Sequence, residues 1–230
     1  MRVSYTIKGV VLAILFAFGT FAIYAQESAV EVSGVVKHYR TGKRINAVTV
    51  VLSMNDTVIN QQLTAANGKY SFRLDFDKNY HLKFVREGLV TQSFLVNTNN
   101  VGAKKQKLFY QISGGISMFE EIDQFDLSLF ERPIASFVYI KKEHKFDYDP
   151  KYVKTIKPKV KKFFVDFKAE EDRRKHELEE FAQLIRSADN HYYKKRYTLA
   201  AKNYKKALYL RPSNNQLKQK YRLAIKLSEE

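Results

Sequence analysis

Between residues 30 and 97 apolar and polar side chains alternate, and no other feature narrows the fold as much. Val48, Val50 and Leu52 share one face, Tyr70, Phe72, Leu74 and Phe76 stand against Lys69, Ser71, Arg73 and Asp75, and Tyr80, Leu82 and Phe84 follow. A period of two marks a strand with one buried face, because successive side chains point to opposite sides of the pleat. The turn signals Thr41-Gly42-Lys43, Asn55-Asp56, Asn67-Gly68, Asp77-Lys78-Asn79 and Glu87-Gly88 separate the runs. Asn67-Gly68 is a strong hairpin dipeptide, since both residues tolerate positive φ. About six short strands, each with one apolar face, need a second sheet to cover that face. The pattern predicts an antiparallel β-sandwich.

The residues inside that pattern point further. Ser33-Gly34-Val35-Val36, Thr41 to Val50 (TGKRINAVTV), Thr64 to Phe72 (TAANGKYSF) and Tyr80 to Phe94 (YHLKFVREGLVTQSF) follow one another at regular intervals. Together they resemble the carboxypeptidase regulatory-like domain, a transthyretin-like (prealbumin-like) β-sandwich of exported bacterial proteins. The matching positions are Gly34, Gly42, Ala47, Asn67, Gly68, Tyr70, Phe72 and Gly88, whereas Arg44, Asn46, Ala65 and Leu89 depart from the family's Pro, Gly, Asp and Tyr. The resemblance implies a scaffold or binding module with no catalytic residue to carry over, and a role in protein contact or carbohydrate binding. The alternation itself assigns Tyr70, Phe72, Tyr80 and Phe84 to core packing rather than to a sugar platform.

Arg2 and Lys8 precede an apolar run from Gly9 to Tyr24, closed by Ala25 and the polar Gln26-Glu27-Ser28. These are the parts of a secretory signal, with cleavage expected after Ala25. An uncleaved single-pass anchor is the alternative, because the run is only just short of spanning length. Either way the expected location is outside the cytoplasm, in the periplasm or at the outer membrane of a Gram-negative envelope. The chain has no cysteine, which excludes disulfides, thiol nucleophiles and Cys-based metal sites. Its net charge of +16 is uneven: +2 lies in residues 1–25, +2 in 26–150 and +12 in 151–230. For an exported chain this basic excess points away from nucleic acid and toward acidic protein faces, surface glycan or anionic lipid.

Residues 98–148 read as a connecting segment with one or two extra strands, either of which can extend the sandwich. Ser113-Gly114-Gly115 reads as flexible, Phe119 to Phe130 as a strand or irregular extension, and Ile134 to Lys141 as a strand after Pro133. Glu120, Glu121, Asp123 and Asp126 cluster without the spacing or glycine of a calcium loop. They are expected to form a solvated strand edge facing the basic C-terminal part.

From Asp149-Pro150, a good helix start, Val153, Ile156, Val160, Phe163, Phe164 and Phe167 recur at helical spacing between six lysines. Pro158 is expected to kink or restart this basic amphipathic helix, placed at 149–178. Its phenylalanine face is expected to pack inside the protein, the alternative being an anionic membrane surface. Residues 179–228 read as a helical hairpin with a capping helix. Leu184, Ala188, Ala200, Tyr204, Ala207 and Pro212 resemble one tetratricopeptide repeat, although Ser187 and His191 depart from it. Small residues let two antiparallel helices approach and Pro212 ends the second. A single repeat makes no concave groove, so the resemblance implies a small docking module.

His38, His81, His144, His176 and His191 are scattered, and no H-E-x-x-H, G-x-S-x-G or phosphate-binding glycine loop occurs. Asp147 and Asp149 read as a turn and a helix cap. The sequence therefore predicts an α+β protein without catalytic, cofactor or metal residues. Its expected function is a non-enzymatic envelope scaffold that binds other proteins. The alternative is a binder of carbohydrate or of anionic membrane surfaces.

Overall fold

The computed structural model describes residues 28–230. The expected export signal at residues 1–25 lies outside them. Ten strands between Ala29 and Tyr148 form two facing sheets, and three helices follow. In the first sheet β1 (Ala29–His38) is flanked by antiparallel β4 (Lys69–Leu74) on one side. On its other side β7 (Phe109–Ser113) and then β8 (Ile116–Met118) run parallel to it. The second sheet, in spatial order, is β10 (Lys145–Tyr148), β9 (Ala135–Ile140), β6 (Gln92–Asn97), β5 (Asn79–Val85), β2 (Thr49–Met54) and β3 (Thr57–Leu63). Its pairs are antiparallel except β6 with β9.

The alternation works as expected. Val30, Val32, Val36, Tyr70, Phe72 and Leu74 of the first sheet meet Val50, Leu52, Tyr80, Leu82, Phe84 and Phe94 of the second in one buried cluster. The chain is thus α+β with a β-sandwich. Asn55 and Asp56, both at positive φ, form the two-residue loop of the β2–β3 hairpin, as the turn chemistry of such dipeptides predicts.

Asn67-Gly68 does something other than close a hairpin. β3 and β4 belong to different sheets, and this turn carries the chain between them. Gly68 sits at φ 71° with its carbonyl accepting the Val36 N–H at 2.9 Å, and a Cβ there would meet the Val36 oxygen at 2.7 Å. The buried Thr64 hydroxyl donates to the Ile45 carbonyl at 2.9 Å and accepts the Val48 N–H at 3.0 Å, fixing the crossing.

Residues 98–148 contribute four strands, β7 to β10, rather than one or two, and with them the sandwich continues past Asn97 to Tyr148. Ser113-Gly114-Gly115, expected to be flexible, is a packed kink between β7 and β8. The Tyr70 hydroxyl donates to the Gly114 carbonyl, and a Cβ on Gly34 or Gly114 would collide with atoms of this contact. Phe119 to Phe130 forms no strand of its own beyond an isolated Leu89–Glu120 bridge, and leads into a short 3-10 helix at Ser128–Glu131.

Three helices complete the chain: α1 (Pro150–Tyr193), α2 (Tyr197–Leu210) and α3 (Asn215–Glu229). The Asp149 carboxylate caps α1 by accepting the Lys151 N–H at 2.9 Å and the Tyr152 N–H at 3.4 Å. Pro158 does not restart the helix. It removes one N–H from an exposed turn whose freed carbonyl, on exposed Lys154, faces water. Ile156 and Phe163 are buried on either side of Pro158, and the helix continues to Tyr193. No break falls near residue 178 either, so the expected division there gives way to one continuous element. Among the described residues no helix is long and apolar enough to cross a membrane.

Candidate interaction surfaces

α1 belongs to two separate cores. Its first half buries Phe163 and Phe167 against Phe119 and Phe130. Phe119 is the hub, with ring centroids 5.1 Å from Phe130, 5.6 Å from Phe163, 5.3 Å from Phe164 and 4.8 Å from Phe167. Polar contacts lengthen this attachment: Arg40 pairs with Glu171, Arg174 donates to the Asp123 carbonyl, and the Tyr152 hydroxyl donates to the Pro133 carbonyl.

The last turns of α1 pack on α2 and α3. Ala188, Ala200, Tyr204 and Ala207 are buried together, with Leu184 packed at the edge, and Pro212 lies just beyond the end of α2. Asn203 bonds Ser187 at 2.9 Å and Arg211 pairs with Glu177, so α2 runs back along α1. Asp189, which the sequence pattern did not single out, ties all three helices. Its carboxylate accepts the Tyr204 hydroxyl at 2.5 Å and the Lys220 ammonium at 2.8 Å. Burial alone would raise the Asp189 pKa, but these two donors outweigh it and hold it below the usual value. A carboxyl flanking an apolar stripe three residues after Arg186 carries no sequence signal of such a role.

The sandwich-motif residues do not converge on a site. Gly34 and Tyr70 meet at Gly114, Tyr70 and Phe72 lie in the core, and burial pushes ionisation of Tyr70 far up. Gly42 and Gly88 occupy separate turns at φ 65° and 76°, Ala47 lies at φ 51°, and Asn67 accepts the Lys69 N–H at 3.1 Å. Tyr80 and Phe84 are likewise interior.

The acidic segment lies against α1, where the Asp123 carbonyl accepts from Arg174 and Ile122 lines a hollow with Lys168 and Lys175, but among the described residues none of its carboxylates pairs with an α1 lysine. The Glu120 carboxylate meets His38 at 2.9 Å, and this bond outweighs the effect of burial to lower its pKa. Asp126 accepts the Ser128 N–H at 2.9 Å, which lowers its own. Among the described residues no three of His, Cys, Asp and Glu stand close enough to hold a metal ion.

Ion pairs on α1 use Lys162, Arg173, Arg174 and Lys175, while Lys154, Lys157, Lys161 and Lys168 have no such partner among the described residues. The first turn holds no acidic residue. Lysines there oppose the helix dipole at a cost of about 0.3–1 kcal/mol each. Beside them a groove of about 410 Å³ is walled by Ile134 just before β9, Ala135 and Tyr148 from the sheet and Val153, Ile156 and Val160 from α1, with Lys157 and Lys161 completing its lining.

No protein-family model matches the chain, and no curated protein matches it. Among solved structures, the Bacillus anthracis TIE protein aligns with 40% of this chain and 17% of its own length, at 12% identity and a TM-score of 0.33. The major pilin SpaD of Corynebacterium diphtheriae aligns over 39% and 30%, at 17% identity and a TM-score of 0.31. A catechol 1,2-dioxygenase of Acinetobacter radioresistens aligns over 43% and 54%, at 12% identity and 0.31. The chain therefore spans well under half of the first two proteins, and likenesses this partial define no family.

Proposed function

We propose that this protein is a non-enzymatic scaffold of the cell envelope, in which a carboxypeptidase regulatory-like sandwich and a tetratricopeptide-like helical module each hold a protein partner. One observation carries the reading: a single 44-residue helix contributes buried side chains to both the aromatic cluster beside the sandwich and the core of the helical module. A helix anchored at both ends fixes the distance and angle between two surfaces, which is what an adaptor needs and a tethered pair of domains lacks. The interior position of Tyr70, Phe72, Tyr80 and Phe84 leaves the carbohydrate alternative without these residues as a platform.

The test is cross-linking in intact cells followed by mass-spectrometric identification of the joined peptides. The expected result is cross-links from both modules to envelope proteins, surviving high salt. Cross-links confined to one module, or association only with glycan or vesicles in dilute salt, overturn the proposal.

A further inference from the structure

We propose that the flank of α1 bearing Lys154, Lys157, Lys161 and Lys168 docks an acidic segment of a protein partner, with an apolar side chain of that segment seated in the groove between α1 and strands β9 and β10. This rests on the scaffold reading and names what one of its surfaces takes.

Charge comes first. Lys154, Lys161 and Lys168 are seven residues apart, two turns of helix, so they fall on one side of α1, with Lys157 between the first two. The row is about 21 Å long, the span of roughly six residues of extended chain. All four lysines are exposed, and none has an ion-pair partner among the described residues. Two of the chain's own nearby carboxylates are occupied elsewhere, Glu120 on His38 and Glu171 on Arg40, and Asp172 lies beside Lys168 at the far end of the row without pairing with it. From Lys154 to Lys161, beside the groove, the row therefore presents positive charge without an ion-pair partner among the described residues, the complement of a run of carboxylates.

Shape decides between a protein segment and an anionic bilayer. A helix lying in a membrane interface sinks an apolar face among the acyl chains. In α1 that face is spent, because Phe163 and Phe167 are buried among Phe119, Phe125 and Phe130. The large apolar side chain left exposed on the first half of the helix is Val165. The groove beside Lys157 and Lys161 is a pocket with room for one or two large side chains. An apolar anchor within a charged rim is how a short segment gains affinity and register together.

The experiment is fluorescence anisotropy on the full chain with a labelled peptide in which a Leu-Phe pair precedes a run of glutamates. The expected result is binding that weakens as salt rises from about 20 to about 150 mM. Binding should fall by about tenfold or more in the double variant Lys157→Glu, Lys161→Glu. Val160→Ser should weaken this peptide but leave unchanged one whose Leu-Phe is replaced by Ser-Ser. Reversal of Lys205 and Lys206 on α2 serves as the control and should change affinity by less than about twofold. Equal loss in the control, indifference to both the lysine and groove variants, or tighter binding to phosphatidylglycerol vesicles than to the peptide overturns the assignment. If it fails while two-module cross-links persist in cells, the docking site falls and the scaffold stands.

Discussion

Replacing Asp189 by alanine should uncouple the three C-terminal helices. The carboxylate is the shared acceptor of the Tyr204 hydroxyl and the Lys220 ammonium. Tyr204 is 2% exposed, so truncation strands a hydroxyl that water reaches poorly. An orphaned buried hydroxyl costs about 1–3 kcal/mol. The Lys220 pair, with side chains 51% and 31% exposed, adds about 0–1 kcal/mol once screening is allowed for. The sum is about 1–4 kcal/mol, readable by urea unfolding followed through the helical circular-dichroism signal. Tyr204→Phe removes the donor and leaves the Asp189 carboxylate its Lys220 partner, so it should cost less. In that background Asp189→Ala should fall below about 1 kcal/mol, because the stranded group is gone. Acidity supplies a second readout. The folded-state pKa of Asp189 lies below its ordinary value, so the contribution of its charge is complete above about pH 4 and disappears as pH falls through the folded pKa. The gap between the wild-type and Asp189→Ala curves should therefore narrow in acid, although a protonated carboxyl still accepts the Tyr204 hydroxyl. A loss under about 0.5 kcal/mol at neutral pH, or a loss that persists undiminished in acid, refutes the reasoning.

The chain has no cysteine, so spin labels at Lys154→Cys and Arg186→Cys are unique; one continuous helix predicts a single narrow distance near 48 Å at about 1.5 Å per residue. A broad distribution or a peak below about 40 Å would show that α1 bends at Pro158 or in its middle. Phe119→Ala empties the aromatic hub at a cost of about 3–5 kcal/mol, and hydrogen exchange should accelerate in the first half of α1 while β2 and β5 stay protected. Gly114→Ala places a methyl 2.6 Å from the Tyr70 hydroxyl and 2.7 Å from the Phe94 ring, and should cost about 1–3 kcal/mol. Gly102→Ala, which meets open space, is its neutral counterpart, and equal thermal midpoints for the two would remove the packing argument.

Legibility followed the range of the physics. Strands β2, β4, β5 and β9 and the apolar stripes of the helices were visible because burial of one face imposes a period on neighbouring residues. The small residues Ala188, Ala200 and Ala207 were visible for the same reason, since close helix approach demands them at helical spacing. Asn67-Gly68 reverses the chain whatever follows, but its chemistry does not say which strand receives the chain. That choice was made by Thr64 and by Val36, thirty-two residues upstream of Gly68. Gly114 looked loose because glycine in isolation is permissive, and only the Tyr70 ring packed over it makes it rigid. Glycines at Ser113–Gly115 and the shortness of β8 and β10 hid β7, β8 and β10, and the partner of β7 and β8 is β1, remote in sequence.

What the sequence determined by itself was the class of each segment: a two-sheet sandwich first, basic helices afterwards, and a small-residue helix pair at the end. Those properties are local, set by side chains within one or two turns or strands of each other. Tertiary structure alone decided that the sandwich extends to Tyr148, that α1 runs unbroken through Pro158 and residue 178, and that Asp189 serves three helices at once. Each depends on contacts between residues far apart in the chain, whose free energy exists only once both partners have been brought together.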